Sequence, residues 1–269
     1  MKKAVSRVYL TLIYIFLYAP ILLLVVFSFN DTDTKSRTVW SGFSLRWYEM
    51  LFQDRMLLEA LKNTLIIAVC AALGATVLGT VAAIGINSMK GWRKKLVMNI
   101  TNLPMLNPEI VTGVSLMLLM VFVAGLFGIS LGMGSIILAH ITFCLPYVIL
   151  SVLPKLGQMD PHLYEAAQDL GCTPLRSFFK VVMPEIMSGV ITGMVMAFTL
   201  SLDDFIISYF CSGTTQTLPV YIYSMTKKRV SPEINALSTL LFAVILILLL
   251  IINIRQGRMG KKEEKEADV

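Results

Sequence analysis

Residues 160–184 read DPHLYEAAQDLGCTPLRSFFKVVMP, a polar segment with long apolar runs on both sides. Two helix starts are written in it. Asp160-Pro161 is an N-cap followed by a residue pre-set for the first helical position, and Thr173-Pro174 repeats the device. Gly171 sits where the first helix needs a residue tolerant of positive φ. Leu163, Ala166, Ala167 and Leu170 share one helical face, as do Leu175, Phe178, Phe179 and Val182. The segment therefore reads as a pair of short amphipathic helices joined by a tight turn. Periodicity leaves two roles open, a loop that folds back on itself and an element that docks onto a partner.

The chain around it is apolar. Of 269 residues 56% are hydrophobic, and the mean hydropathy is +0.75. That excludes an ordinary soluble domain and points to membrane spans of about 18 residues or more. The net charge of +6 leaves no basic face for nucleic acid once the spans are set aside. Six spans are predicted, at 8–29, 64–87, 108–127, 135–153, 185–210 and 234–254, which form a single domain over 1–254. The first is too long for a signal-peptide core and lacks a small-residue cleavage site, so it reads as an uncleaved span. The charged run 255–269 reads as a solvated tail.

Lys and Arg orient the spans. Fifteen fall on the side holding both termini, the 88–103 loop and the 155–184 segment, against eight on the other. The positive-inside rule puts the larger set, and so both termini and the docking segment, in the cytoplasm. Small residues recur every fourth position at Ala71, Ala75, Gly79 and Ala83, and again at Gly189, Gly193, Ala197 and Ser201. Such stripes are packing faces for membrane helices.

No G-x-x-x-x-G-K-[ST] occurs, so ATP hydrolysis is not expected here. Cys70, Cys144, Cys172 and Cys211 are scattered, and no H-E-x-x-H is present, so no metal or cofactor is expected on this chain. What remains is a set of polar residues at membrane depth. Asp203 and Asp204, in TLSLDDFIIS, lie about 27 Å along the fifth span from Glu185 at 1.5 Å per residue. A carboxylate in a span marks a substrate or ion path by default, unless the helix ends early and the pair is interfacial. Neighbours on a helix point about 100° apart, so the two cannot share one target, and Ser201 lies about a turn away. Glu109, in NPEIV, either faces a pore or complements a helix dipole behind Asn107 and Pro108. His140 reads as a hydrogen-bonded structural residue, and Pro146 as a kink in the same span. Trp40, Trp47 and Tyr48 suit interfacial anchoring, with a cation-binding face as the alternative.

Glu165-Ala166-Ala167, Gly171, Val181 and Met183-Pro184 resemble the EAA loop of ABC-importer permeases, whose pattern is EAA, three residues, Gly, nine residues, Ile, one residue and Leu-Pro. Only Val181 and Met183 depart from it, by volume-tolerant swaps. The segments 42–51, 140–148, 165–171, 199–208, 222–225 and 231–241 are similar to the spermidine/putrescine branch of that family. The resemblance implies an all-α fold of the type I importer (MetI-like) class in a bacterial inner membrane, with 155–184 as a cytoplasmic coupling helix pair. Glu165, Ala166, Ala167 and Gly171 would form the docking core for an ATPase. Trp47, Glu109, Ser201, Asp203 and Asp204 would stand on the substrate path, Glu109 replacing the branch's Asp while keeping its charge. The implied partners are a second permease subunit, an ATPase dimer carrying ATP and Mg2+, and an extracytoplasmic binding protein. An ABC permease for another solute and a stand-alone cation carrier or channel are the rival readings.

Overall fold

Val148, in the middle of the fourth predicted span, is where both small-residue stripes converge. A Cβ added to Gly79 would lie 2.7 Å from its Cγ1, and one added to Gly193 would lie 3.1 Å from its Cα. Gly189 is closer still to the backbone, with its added Cβ 2.8 Å from the Ser151 carbonyl oxygen. At Gly189 and Gly193 a neighbouring helix backbone, and at Gly79 the Val148 side chain, leave no room for a Cβ, which is the close packing the stripes predict.

The computed structural model describes residues 2–31, 40–128, 130–160, 162–228, 233–244, 246, 247 and 250. In chain order its helices are α1 (Lys2–Phe27), α2 (Arg46–Gln53), α3 (Arg55–Ser88), α4 (Gly91–Leu106), α5 (Glu109–Phe127), α6 (Met133–Gln158), α7 (His162–Asp169), α8 (Pro174–Ser177), a π-helical turn (Phe178–Val182), α9 (Met183–Asp203), α10 (Ile206–Cys211), α11 (Leu218–Lys228) and α12 (Glu233–Val244). Among the described residues five helical stretches are long and apolar enough to cross a membrane: Tyr9–Phe27, Arg55–Ser88, Glu109–Phe127, Met133–Gln158 and Pro174–Asp203. They overlap the first five predicted spans, but the fifth starts at Pro174 and ends at Asp203, short of 210. The predicted sixth span is described as α12, with the rest of 234–254 only in part; the 255–269 tail lies outside the described residues.

The chain forms two compact units, one of Met1–Leu58 with Ile222–Val269, the other of Glu59–Tyr221. In the first, residues 40–48 are tied to the end of α1 and the turn that follows it. Trp47 is 8% exposed, and its indole N–H donates to the Asn30 carbonyl at 2.9 Å. The Tyr48 hydroxyl is 2.7 Å from Ser28 Oγ, and Phe29 stacks on Phe43 with ring centroids 5.4 Å apart.

The second unit is built around α6. Its buried residues Ala139, Cys144, Val148 and Val152 join Ala75 and Ala83 of α3 and Ile186 and Ala197 of α9 in one core. The Cys144 thiol donates to the Ala197 carbonyl at 3.4 Å. Gly113 of α5 faces Ile206 and Phe210 of α10, its added Cβ 3.0 and 3.1 Å from them. The loop after α10 is pinned at both sides, since Ser135 Oγ donates to the Cys211 carbonyl at 3.0 Å and the Leu218 N–H donates to Thr64 Oγ1 at 2.8 Å.

Three local readings are corrected. The 88–103 loop is helical in α4, because Arg, Lys, Leu and Met are good helix formers even where charge disguises the period. Asn107 closes α4 at its C-terminus and makes no side-chain cap for α5, which starts behind Pro108. The fifth span is interrupted. Asp204 adopts φ −62°, ψ 123°, an extended conformation that ends α9, and a new short helix begins at Ile206.

Candidate functional site: a break in the fifth span

The break at 203–205 divides the two neighbouring aspartates. Asp204 turns inward, its side chain 6% exposed, while Asp203 is exposed. The Asp204 carboxylate caps α10: Oδ2 accepts from the Ser208 N–H at 2.8 Å and Oδ1 from the Ile207 N–H at 3.4 Å. This is the ordinary preference of Asp for a helix start. His140, 1% exposed on α6, completes the arrangement. Its Nδ1 is 2.6 Å from Ser201 Oγ, and its Nε2 is 3.2 Å from Ser208 Oγ and 3.4 Å from Asp204 Oδ2. His140 is thus the buried, hydrogen-bonded residue expected, but two of its partners, Ser201 and Asp204, are members of the expected site, and Ser208 is one that the sequence reading missed.

Asp203 ends α9, where the last carbonyls of a helix lack intrahelical partners and carry the negative end of its dipole. Glu109, exposed at the first turn of α5, lies within electrostatic reach of Asp203, as does Asp204. Gly113, one turn on from Glu109, is where α5 meets α10, so helix packing brings this carboxylate to the break. Asp203 and a helix C-terminus therefore meet where a membrane helix is interrupted, with Glu109 and Asp204 within electrostatic reach. Such interruptions place backbone polar groups beside a bound solute in transporters. No three metal-donor side chains cluster among the described residues. Trp47 belongs to the other compact unit, buried against Asn30, with the Arg46 guanidinium 5.7 Å from its ring centroid.

The 155–184 segment forms a second candidate site. Asp160 Oδ1 accepts from the His162 N–H at 2.9 Å, starting α7, and Thr173 Oγ1 accepts from the Arg176 N–H at 3.4 Å, starting α8. Gly171 has φ +86°, as its place in the turn requires. Leu170 and Leu175 are 87% and 72% exposed, and Leu163, Ala166 and Phe179 are exposed as well. Glu165 points outward beside His162, 3.7 Å away, and Ala167 is half-buried. An uncovered apolar face on a polar segment is the form of a protein-docking surface. The second short helix is not a separate element, however. α8 continues through the π-turn into α9, with the Met183 N–H bonded to the Phe178 carbonyl. Pro184 explains the wider turn, since proline donates no N–H and crowds the carbonyl four residues back.

The sequence profile described as "Binding-protein-dependent transport system inner membrane component" matches residues 75–262. The chain belongs to this family. It is 44% identical over 243 residues to the putrescine transport system permease protein PotI of Escherichia coli (strain K12), covering 88% of this chain and 85% of that protein. It is 38% identical over 243 residues to the spermidine/putrescine transport system permease protein PotC of the same strain, covering 90% of each. A solved bacterial ABC transporter that imports the acidic polysaccharide alginate superposes with a TM-score of 0.71 at 19% identity, over 95% of each chain. That likeness establishes the fold as an importer permease. The family is one of transport subunits, so the chain is a permease and not an enzyme, and the stand-alone carrier reading falls.

Proposed function

We propose that this chain is one permease subunit of an ATP-driven importer for putrescine and spermidine, and that it lines half of the pore. The observation that carries the cargo is the convergence of Asp203, Glu109 and the α9 C-terminus at the helix break, beside the His140–Asp204 pair. An ammonium group leaving water costs several kcal/mol unless fixed negative charge meets it. Polyamines carry two or more such groups, and two relatives of this chain are named for them. A neutral cargo would gain only hydrogen bonds from these carboxylates, and an anionic one would be repelled by them.

Partners and orientation belong to the same reading. The second pore half is a PotB-like permease, and a PotA-like ATPase dimer holding ATP and Mg2+ docks on the exposed face around Glu165, Ala166, Ala167 and Gly171. A PotD-like binding protein delivers the cargo on the opposite side. This chain binds no cofactor of its own. ATP closes the ATPase dimer, α7 and α8 transmit the closure, and α9 carries it to the break because α8 and α9 are one continuous helical rod. Trp47 is kept on the substrate path in this reading as a residue that holds the turn after α1 through the Asn30 carbonyl.

The test is uptake of labelled putrescine and spermidine by vesicles holding this chain with and without those partners. ATP-dependent uptake only with the full set is expected; uptake of an unrelated solute instead would reassign the cargo. Orientation is checked separately, in the bacterial inner membrane. A reporter fused after residue 158 is expected to read cytoplasmic and one at 214 external. Protease cleavage within 155–183 from outside intact cells would reverse the topology.

A further inference from the structure

His140 touches both sides of the broken span from a different helix. Ser201 is in the last turn of α9, Asp204 is at the break and Ser208 is in α10, and one imidazole reaches all three. A carboxylate presents only acceptors, so the ring proton belongs on Nε2, facing Asp204 and Ser208. Nδ1 is 2.6 Å from Ser201 Oγ. Both ring nitrogens are used, and the side chain is sealed from water. A packing role alone does not call for an imidazole at 1% exposure, since an apolar side chain of that size fills the volume without a desolvation cost.

We infer that His140 is a positioning residue for cargo passage: it clamps Ser201, Asp204 and Ser208 across the α9–α10 break, so that Asp203 is the carboxylate left to meet the cation. The inference rests on the polyamine reading above. Without the clamp, Asp204 keeps its two backbone donors but loses its inward partner, α9 and α10 lose the side chain that ties them together, and the break no longer holds one geometry. Misplacement on the order of 1 Å is enough to cost a positioned site about a hundredfold. Because a separate binding protein captures the cargo first, the defect falls on the maximal rate and not on the half-saturating concentration.

The experiment compares the parent, His140→Leu and His140→Gln in the assembled importer, reconstituted in proteoliposomes with its partner permease, ATPase and binding protein. Putrescine uptake is measured per assembled complex, with assembly read by co-purification of the ATPase. His140→Leu is expected to lower the maximal rate at least about tenfold, the loss of a hydrogen bond to a charged group, while half-saturation stays within about twofold. His140→Gln keeps a donor toward Asp204 and is expected to recover about a third or more of the parent rate. A structural role would lower the amount of complex and leave the rate per complex unchanged. That result, or a Gln variant as slow as the Leu variant, overturns the assignment. A second readout is the pairing with Asp204. His140→Leu and Asp204→Asn are expected to be non-additive in rate, since residues sharing one network couple; additive losses would count against the clamp. If the parent complex imports neither polyamine, the cargo reading fails and takes this inference with it. If the parent imports normally and the His140 variants match it, the cargo reading stands and this inference alone is lost.

Discussion

Asp203→Asn is expected to remove most polyamine uptake, by about ten- to a hundredfold, while the complex still assembles with its ATPase. The substitution keeps size and hydrogen bonding and removes only charge. Desolvating an unpaired ammonium costs several kcal/mol, and each 1.4 kcal/mol is about a factor of ten, so the loss of one partner of several falls in that range. The exposed position of Asp203 means that no buried network depends on it, which is why assembly should survive. Asp204→Asn is expected to lower uptake too, but through the break: its carboxylate caps α10 and faces His140, so the variant should also be less stable in detergent. The measurements are uptake, co-purification with the ATPase and thermal melting on both single variants and the double variant. Near-normal transport by the double variant would remove the electrostatic path and leave both residues as helix-end caps.

The contrast between these two aspartates shows how much the sequence could say. Their presence at membrane depth is legible, because charge inside an apolar run stands out from composition alone. Their division of labour is not, because it depends on His140, which lies 61 to 68 residues away from its serine partners. The break itself carries no proline or glycine, and the usual local signals of interruption are missing from Leu202-Asp203-Asp204-Phe205. One faint signal was there: Asp is a favoured N-cap, and a helix start at Ile206 could have been read from it. By contrast, the turn of the docking segment was readable to the residue. Asp160, Gly171 and Thr173 act on backbone groups a few positions away, so local chemistry decides their roles. The small-residue stripes were legible for the same reason of period, although only the structure says that α6 is what they pack against. The continuity of α8 with α9 was hidden by Pro184, which separates the docking segment from the span predicted at 185–210 and is accommodated by a π-turn inside one helix.

That continuity sharpens what the docking segment must do, and with it the expected result of changing Gly171. A push on α7 reaches the break only if the α7–α8 turn holds its angle, since beyond the turn the helix runs without interruption from Pro174 to Asp203. Gly171 sets the angle with φ +86°. Nothing lies within 4 Å of an added Cβ there, so a side chain meets no clash and the whole effect of substitution is conformational. A non-glycine residue in the left-handed region costs roughly 1–2 kcal/mol, and a β-branched one is the worst suited to it. Gly171→Val is therefore expected to shift the turn out of this conformation, giving normal membrane insertion, retained ATP hydrolysis and uptake reduced about tenfold or more per ATP consumed, from a relaxed turn of the kind that costs about 1–2 kcal/mol to hold. Gly171→Asn is the internal control, because Asn visits positive φ with little penalty, and it should keep most of the parent's uptake per ATP. Uptake and phosphate release measured on the same proteoliposomes give the ratio directly. If Gly171→Val and Gly171→Asn both transport like the parent, the turn does not carry the stroke, and the exposed face around Glu165 and Ala166 is a surface without a coupling role.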